Sequence, residues 1–220
     1  MKLVYPNIDT QLNFDKSGCS LIVENSQMYF KLCTELIGQC SGGEGNFVLS
    51  DNNVILQIDK VCEVLFDYFN LTLNSKKTNN LLLKTLGEIV MHGDYTKELT
   101  DINGDIIKFN DKLLSQTDLP VVCGDEIEFE NLLKMSNYKF NESIDITNKI
   151  ADYVEIMLKL KSFNIIILIN SFCILSEDEI KSIIKQFEYM NIKIFFVDPI
   201  QKYKFDNCQS IVIDNDLCEI

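Results

Sequence analysis

Residues 163–199 read FNIIILINSFCILSEDEIKSIIKQFEYMNIKIFFVDP, and this stretch decides the fold. Ile165-Ile166-Ile167-Leu168-Ile169 is an unbroken apolar run with no alternation that would let one side face water. Its length and β-branching predict a strand buried on both faces, as in a parallel sheet. Asn170-Ser171 ends the run with polar groups. Ser176-Glu177-Asp178-Glu179 reads as a capping box, with Ser176 at the cap and Glu179 three residues on. The acids also suit the positive end of a helix. Ile180, Ile183, Ile184, Phe187 and Met190 then mark one helix face. Ile192 to Val197 is a second apolar strand, stopped by Asp198-Pro199. Strand, helix, strand makes a βαβ unit, which is right-handed almost without exception. Ligands in open α/β sheets gather beyond the carboxyl ends of the strands, here Asn170, Ser171 and Asp198. Those residue types are equally ordinary turn and capping residues.

The two sides of this unit differ in character. Upstream, Lys2 to Tyr5, Gln11 to Phe14 and Cys19 to Val23 are short strand candidates. Asn25-Ser26 caps a helix to about Ile37. Phe47 to Leu49 and Val54 to Ile58 form a hairpin around Asp51-Asn52-Asn53. Residues 59–145 read as helical: Lys60 to Phe69, then Asn74-Ser75 capping a helix to about Met91, then a helix within Lys97 to Gln116 weakened by Asn103-Gly104. A short helix starts at Asp125-Glu126 and runs to about Met135. An amphipathic helix covers 146–161, with Ile146, Ile150, Tyr153, Val154, Met157 and Leu158 on one face. Ser210 to Ile213 is a last strand. The expected fold is α/β, with a head built from both chain ends (1–58 and 146–220) and a helical arm (59–145) inserted in the middle.

Composition narrows the function. The chain has 220 residues, 46% of them hydrophobic, enough for a sizeable core. Met1 to Asn7 has no apolar signal-peptide region, and no run approaches a membrane span, so a cytoplasmic protein is expected. Eight cysteines are scattered without a Cys-x-x-Cys, and His92 is the only histidine, which argues against zinc. The net charge is −13 and all 20 basic residues are lysine. That removes arginine fingers and bidentate arginine clamps on guanine. DNA is admitted as a partner only if lysines cluster on one surface and acids lie elsewhere.

Catalytic signatures are weak. Gly42, Gly43 and Gly45 follow a helix, and no Lys-Ser/Thr comes after them, so neither a P-loop nor a dinucleotide fingerprint is present. A triad is excluded in practice by the lone His92. Asp125-Glu126-Ile127-Glu128-Phe129-Glu130 is dense in hard oxygen ligands, suited to Ca²⁺, yet also ordinary for the first turn of a helix. Lysines of residues 59–149, among them Lys76, Lys77, Lys84, Lys134, Lys139 and Lys149, are either a solvated face or a phosphate-binding one.

Three segments together carry a resemblance. They are Leu65-Phe66-Asp67-Tyr68-Phe69-Asn70-Leu71-Thr72-Leu73-Asn74-Ser75, then Asp125-Glu126-Ile127 with Leu132-Leu133-Lys134, then Ile165 to Ser171 with Leu175-Ser176-Glu177-Asp178-Glu179-Ile180. In this order and spacing the chain resembles the short form of the Csn-two family, the accessory protein of spacer acquisition in type II-A CRISPR systems. The resemblance implies a P-loop-ATPase-like head without a working nucleotide site. It further implies a ring-shaped homotetramer that binds double-stranded DNA ends through a lysine-lined hole, without sequence preference and without catalysis. CRISPR integrase proteins and the effector nuclease are its implied partners, and no membrane. It implies DNA contacts at Lys134, Lys139 and Lys149, and a Ca²⁺ site at Asp125 and Glu126. Acids that commonly precede that pair in the family stand here as Val121 and Cys123, and Asn131 replaces another, leaving Glu128 and Glu130 as substitutes. Against this stand two other classes: a divergent nucleotide-binding α/β enzyme using Asn170, Ser171 and Asp198, and a protein-interaction scaffold docking through the acidic surface.

Overall fold

Ile165–Ile169 and Lys193–Asp198 lie side by side as parallel strands, with Ile167 opposite Phe195. The computed structural model describes residues 1–6, 8–14, 17–124 and 128–220. In chain order the strands are β1 (Lys2–Val4), β2 (Leu12–Asn13), β3 (Gly18–Val23), β4 (Val48–Asp51), β5 (Val54–Leu56), β6 (Cys62–Leu65), β7 (Ile165–Ile169), β8 (Lys193–Asp198) and β9 (Cys208–Ile213). The helices are α1 (Ser26–Cys40), α2 (Ile58–Val61), α3 (Lys76–His92), α4 (Thr96–Leu114), α5 (Phe129–Met135), α6 (Ile146–Leu160), α7 (Ser171–Ile174) and α8 (Glu177–Tyr189). The chain is mixed α/β and divides into two compact units, residues 1–72 with 142–220, and residues 73–141.

The first unit holds two sheets. One is parallel, in the order β6-β7-β8-β3-β9; the other is antiparallel, β2-β1-β4-β5. Every residue of β3 and β7 is buried, as continuous apolar runs in the middle of a parallel sheet require. Side chains alternate across the sheet. Leu21, Ile165, Ile167, Ile169, Phe195, Val197, Ile211 and Ile213 share one face, in a core with Leu32 and Leu36 of α1 and Leu3, Leu12 and Leu49 of the antiparallel sheet. Ile166, Leu168, Ile194 and Phe196 point the other way and are equally buried. The helix α8 starts at the expected capping box: Ser176 N–H donates to Glu179 Oε2 at 2.7 Å while Ser176 Oγ accepts from Glu179 N–H.

One element differs from the sequence reading. The helix expected over Lys60 to Phe69 is one turn, α2, followed by strand β6. Cys62, Glu63, Val64 and Leu65 take the edge of the parallel sheet beside β7, with Cys62 opposite Ile165 and Leu65 opposite Leu168. Pairing with an already buried neighbour outweighs the local preference of a four-residue segment. The acid inside this strand is accommodated because Tyr153 of α6 donates to Glu63 Oε1 at 2.8 Å and Lys161 Nζ lies 3.5 Å from Oε2.

The second unit is helical. Ser75 caps α3 by accepting the Thr78 amide at 3.2 Å. Asn103-Gly104 lies inside α4 without breaking it. The short helix expected from Asp125-Glu126 to Met135 is present as α5 over 129–135; residues 125–127 lie outside the described residues. Apolar burial is sparse here: among the described residues of this unit only Leu73 and Thr78 are buried.

Candidate nucleic-acid interface

The carboxyl edge of the parallel sheet is the first place to look for a ligand. Asn170 ends β7 in the left-handed conformation, φ 62°, and so turns the chain into α7. The Ser171 hydroxyl then donates to Asp198 Oδ2 at 3.1 Å, and the Phe172 amide donates to Oδ1 at 2.7 Å. Ser171 and Asp198 are both fully buried. Phe172 packs against the rings of Phe196, Tyr203 and Phe205. Tyr68 lies against this cluster, and its buried hydroxyl has no hydrogen-bond partner of ordinary geometry among the described residues. Burial pushes the Asp198 carboxyl up to about 7, against the pull of the Phe172 and Ser171 donors. Of the side chains expected to make a nucleotide edge, Ser171 and Asp198 are therefore bonded to each other inside the protein, while Asn170 is half-buried and its backbone N–H donates to the Val197 carbonyl.

The candidate DNA lysines fall in different places. Lys134 sits in the last turn of α5, exposed and without an ion pair among the described residues. Lys139 is exposed in the irregular stretch after that helix, likewise without an ion pair among them. Both belong to the second unit, which carries eight lysines against eleven acids; the first carries twelve against twenty-two. Acids are about equally dense in the two units; it is lysine that is denser in the second, eight in 69 residues against twelve in 151. Lys134 also edges a groove of about 420 Å³ between α3 and α5, whose apolar walls are Leu83, Met91, Phe129 and Leu133. Lys84, across this groove, is 3.9 Å from Glu88 one turn along α3.

Lys149 is different. It lies in the first unit, on α6, with its side chain 30% exposed. Its Nζ donates to the Leu71 carbonyl at 3.4 Å and lies 4.0 Å from Glu142. The Thr72 hydroxyl donates to the same Glu142 carboxylate. In the second unit, Asn74 makes a matching pair of bonds to Phe140: Oδ1 accepts its N–H at 2.8 Å and Nδ2 donates to its carbonyl at 3.1 Å. The pairs Thr72 with Glu142 and Asn74 with Phe140 have no signal in the sequence, since they lie 70 and 66 residues apart.

Of the acids expected to hold calcium, Asp125 and Glu126 lie outside the described residues. Glu128 and Glu130 are exposed at the start of α5. Among the described residues no three His, Cys, Asp or Glu side chains come together as a metal would need. Calcium prefers six to eight oxygens, so Glu128 and Glu130 alone are not a site. Among the described residues no cysteines are joined in a disulfide; Cys19, Cys33 and Cys62 are buried, Cys123, Cys173 and Cys218 exposed. No helix among the described residues is long and apolar enough to cross a membrane.

The family model for CRISPR-associated protein (Cas_Csn2) matches residues 39–217. The chain is a member of that family. The match runs from the end of α1 to beyond β9, so it takes in the whole second unit and most of the first. Membership in Cas_Csn2 gives this chain a CRISPR-associated role. No curated protein matches the chain.

Proposed function

We propose that this Cas_Csn2-family chain is a non-catalytic protein of type II-A CRISPR adaptation that binds double-stranded DNA ends as a ring-shaped homotetramer. The observation that carries the reading is the family match over 39–217. Four features support it. Lysine is denser in the unit bearing Lys134 and Lys139, eight in 69 residues against twelve in 151. The second unit buries almost none of its apolar side chains by itself. Tyr95, Leu99, Ile102, Ile106, Phe109 and Leu113 run along α4 at spacings of four and three, and Ile102, Phe109 and Leu113 are 44%, 59% and 53% exposed. Such a stripe is the seam of a helix that meets another helix, and assembly of copies would cover it. Finally, Asp198, Ser171 and Phe172 fill the edge where a nucleotide would sit, in keeping with a non-catalytic head. The strand order also suits a P-loop-ATPase-like head: β3, which leads into α1, lies between β8 and β9. It reaches that helix through Glu24-Asn25-Ser26, with no glycine and no lysine.

In this reading Lys134 and Lys139 meet phosphates, without base readout, and the CRISPR integrase proteins and effector nuclease act beside the ring in the cytoplasm. Calcium belongs to the same proposal at Asp125, Glu126, Glu128 and Glu130, and a calorimetric titration with Ca²⁺ tests it directly. The DNA reading is tested by binding of a blunt duplex across a salt series. Removing a lysine that meets a phosphate lowers the slope of log affinity against log salt by about 1. Lys134→Ala with Lys139→Ala is expected to flatten the slope, while sedimentation still shows a species of four 25.3 kDa chains. An unchanged slope in the double variant would count against these lysines.

A further inference from the structure

We propose that Lys149 is a positioning residue and not a DNA contact: with Glu142, Thr72 and the Leu71 carbonyl it closes a clasp over the two places where the chain leaves and re-enters the first unit. The inference rests on the DNA-binding reading only for its effect on affinity; the clasp itself stands on geometry.

The chain passes from the first unit to the second after Thr72 and returns at Glu142. These two residues are hydrogen-bonded to each other through their side chains. Two residues further along each strand, Asn74 holds the backbone of Phe140 by both its N–H and its carbonyl. The sums of the paired numbers are equal, as in an antiparallel ladder in which one strand counts up while the other counts down. Side chains here do the pairing that backbone groups do in a sheet. Lys149 reaches from α6 to both strands at once. Its ammonium meets the Leu71 carbonyl on the outgoing strand and the Glu142 carboxylate on the returning one.

The helix that carries Lys149 is firmly seated. Asp145 caps it by accepting the Asn148 amide at 3.0 Å, and Ile150, Val154 and Met157 are fully buried. The outgoing strand is anchored as well, by buried Tyr68 and Leu71. Lys149 therefore joins a rigid helix to two strands that regular secondary structure does not hold. Its side chain is half-buried, and its ammonium already has two oxygens within 4.0 Å. A phosphate would have to displace Glu142 from it, and Glu142 would repel that phosphate. Lys134 and Lys139 face neither obstacle.

The test uses the full chain and three variants, Lys149→Met, Glu142→Ala and Lys134→Ala, with amide hydrogen exchange and DNA titration on each. The Phe140 amide is the second reporter, because its only described partner is the Asn74 side chain. Losing one hydrogen bond of this kind is worth a factor of roughly 3 to 10 in an opening equilibrium. Lys149→Met and Glu142→Ala are both expected to speed exchange at 70–75 and at Phe140 by that factor. Both are expected to weaken DNA binding equally while leaving its salt slope intact, whereas Lys134→Ala lowers the slope. Two results overturn the proposal. One is unchanged exchange in Lys149→Met. The other is opposite effects on DNA, with Lys149→Met flattening the slope and Glu142→Ala tightening binding, as expected if Lys149 touches phosphate and Glu142 merely opposes it. Should no variant and no wild-type chain bind DNA at all, the functional reading fails and the exchange result alone decides the clasp.

Discussion

Asn74 grips Phe140 by both backbone groups, its carboxamide standing in for the peptide group of a neighbouring strand. The arrangement needs a side chain with one acceptor and one donor on the same planar group. A carboxamide sets the two side by side on one carbon, and Gln would carry it one methylene further from the backbone. Asn74→Asp loses the donor and sets a carboxylate against the Phe140 carbonyl. Asn74→Ala loses both bonds. Each is expected to destabilise this pairing of 74 with 140 by about 1–2 kcal/mol. Faster amide exchange at Phe140, and faster proteolytic cutting within 136–145, would register it.

Asp198 makes stability depend on pH in an unusual direction for an acid. Burial raises its carboxyl in the folded chain to about 7, from an ordinary value of 3.8. The folded state therefore holds a proton that the unfolded state has already released. Between about pH 4 and 7 the contribution of this group falls as pH rises, and above 7 it levels off. The groups facing it do not compensate: Tyr29 and Cys33 of α1, Tyr68 and Cys173 are all pushed up in turn, by burial first. Asp198→Asn keeps an acceptor for the Phe172 amide. It is expected to abolish this slope and to raise the melting temperature at pH 8 relative to the parent chain. An unchanged pH profile would mean that Asp198 stays ionised.

Glu63, 2% exposed on β6, depends on Tyr153 and Lys161. Lys161→Met would strip the cation from a buried carboxylate and is expected to cost about 2 kcal/mol, less than for a fully buried pair because Lys161 keeps some contact with water. Urea denaturation measures it. Tyr153→Phe, which leaves the carboxylate short of a donor, is expected to fall in the same range.

The Ser176–Glu179 capping box predicts a more modest loss. Ser176→Ala is expected to destabilise by about 1 kcal/mol, visible in the same urea series. Replacing exposed Glu177 should change little, since its partner Lys181 is equally exposed.

The elements legible in the sequence are those whose pattern is local and strong. β7, α8 and β8 declare themselves by an apolar run, a capping box and a helical stripe, and all three stand where the residues place them. Ser75 likewise marks the start of α3, and the apolar face over 146–161 marks α6. β6 was illegible because four residues with an acid in the middle carry no period. Only the edge of a preformed sheet and the pair Tyr153 and Lys161 make it a strand. The partners of Lys149 were illegible for a related reason. Lys149 belongs to the polar side of α6 by spacing, yet it bends over Leu71 and Glu142, neighbours that no helical wheel contains. Lys134 and Lys139 stand exposed as read, while Glu128 and Glu130 are placed without the third acid that a metal would ask for among the described residues.

In the proposed function, this Cas_Csn2-family chain encircles the ends of double-stranded DNA. Linear and covalently closed circular duplexes of the same length and sequence separate this from every form of side-on binding, since only the linear form has an end to thread. At low salt, gel shifts are expected to show a complex with linear DNA and none with the closed circle. Equal binding to both, or to neither, would contradict the account.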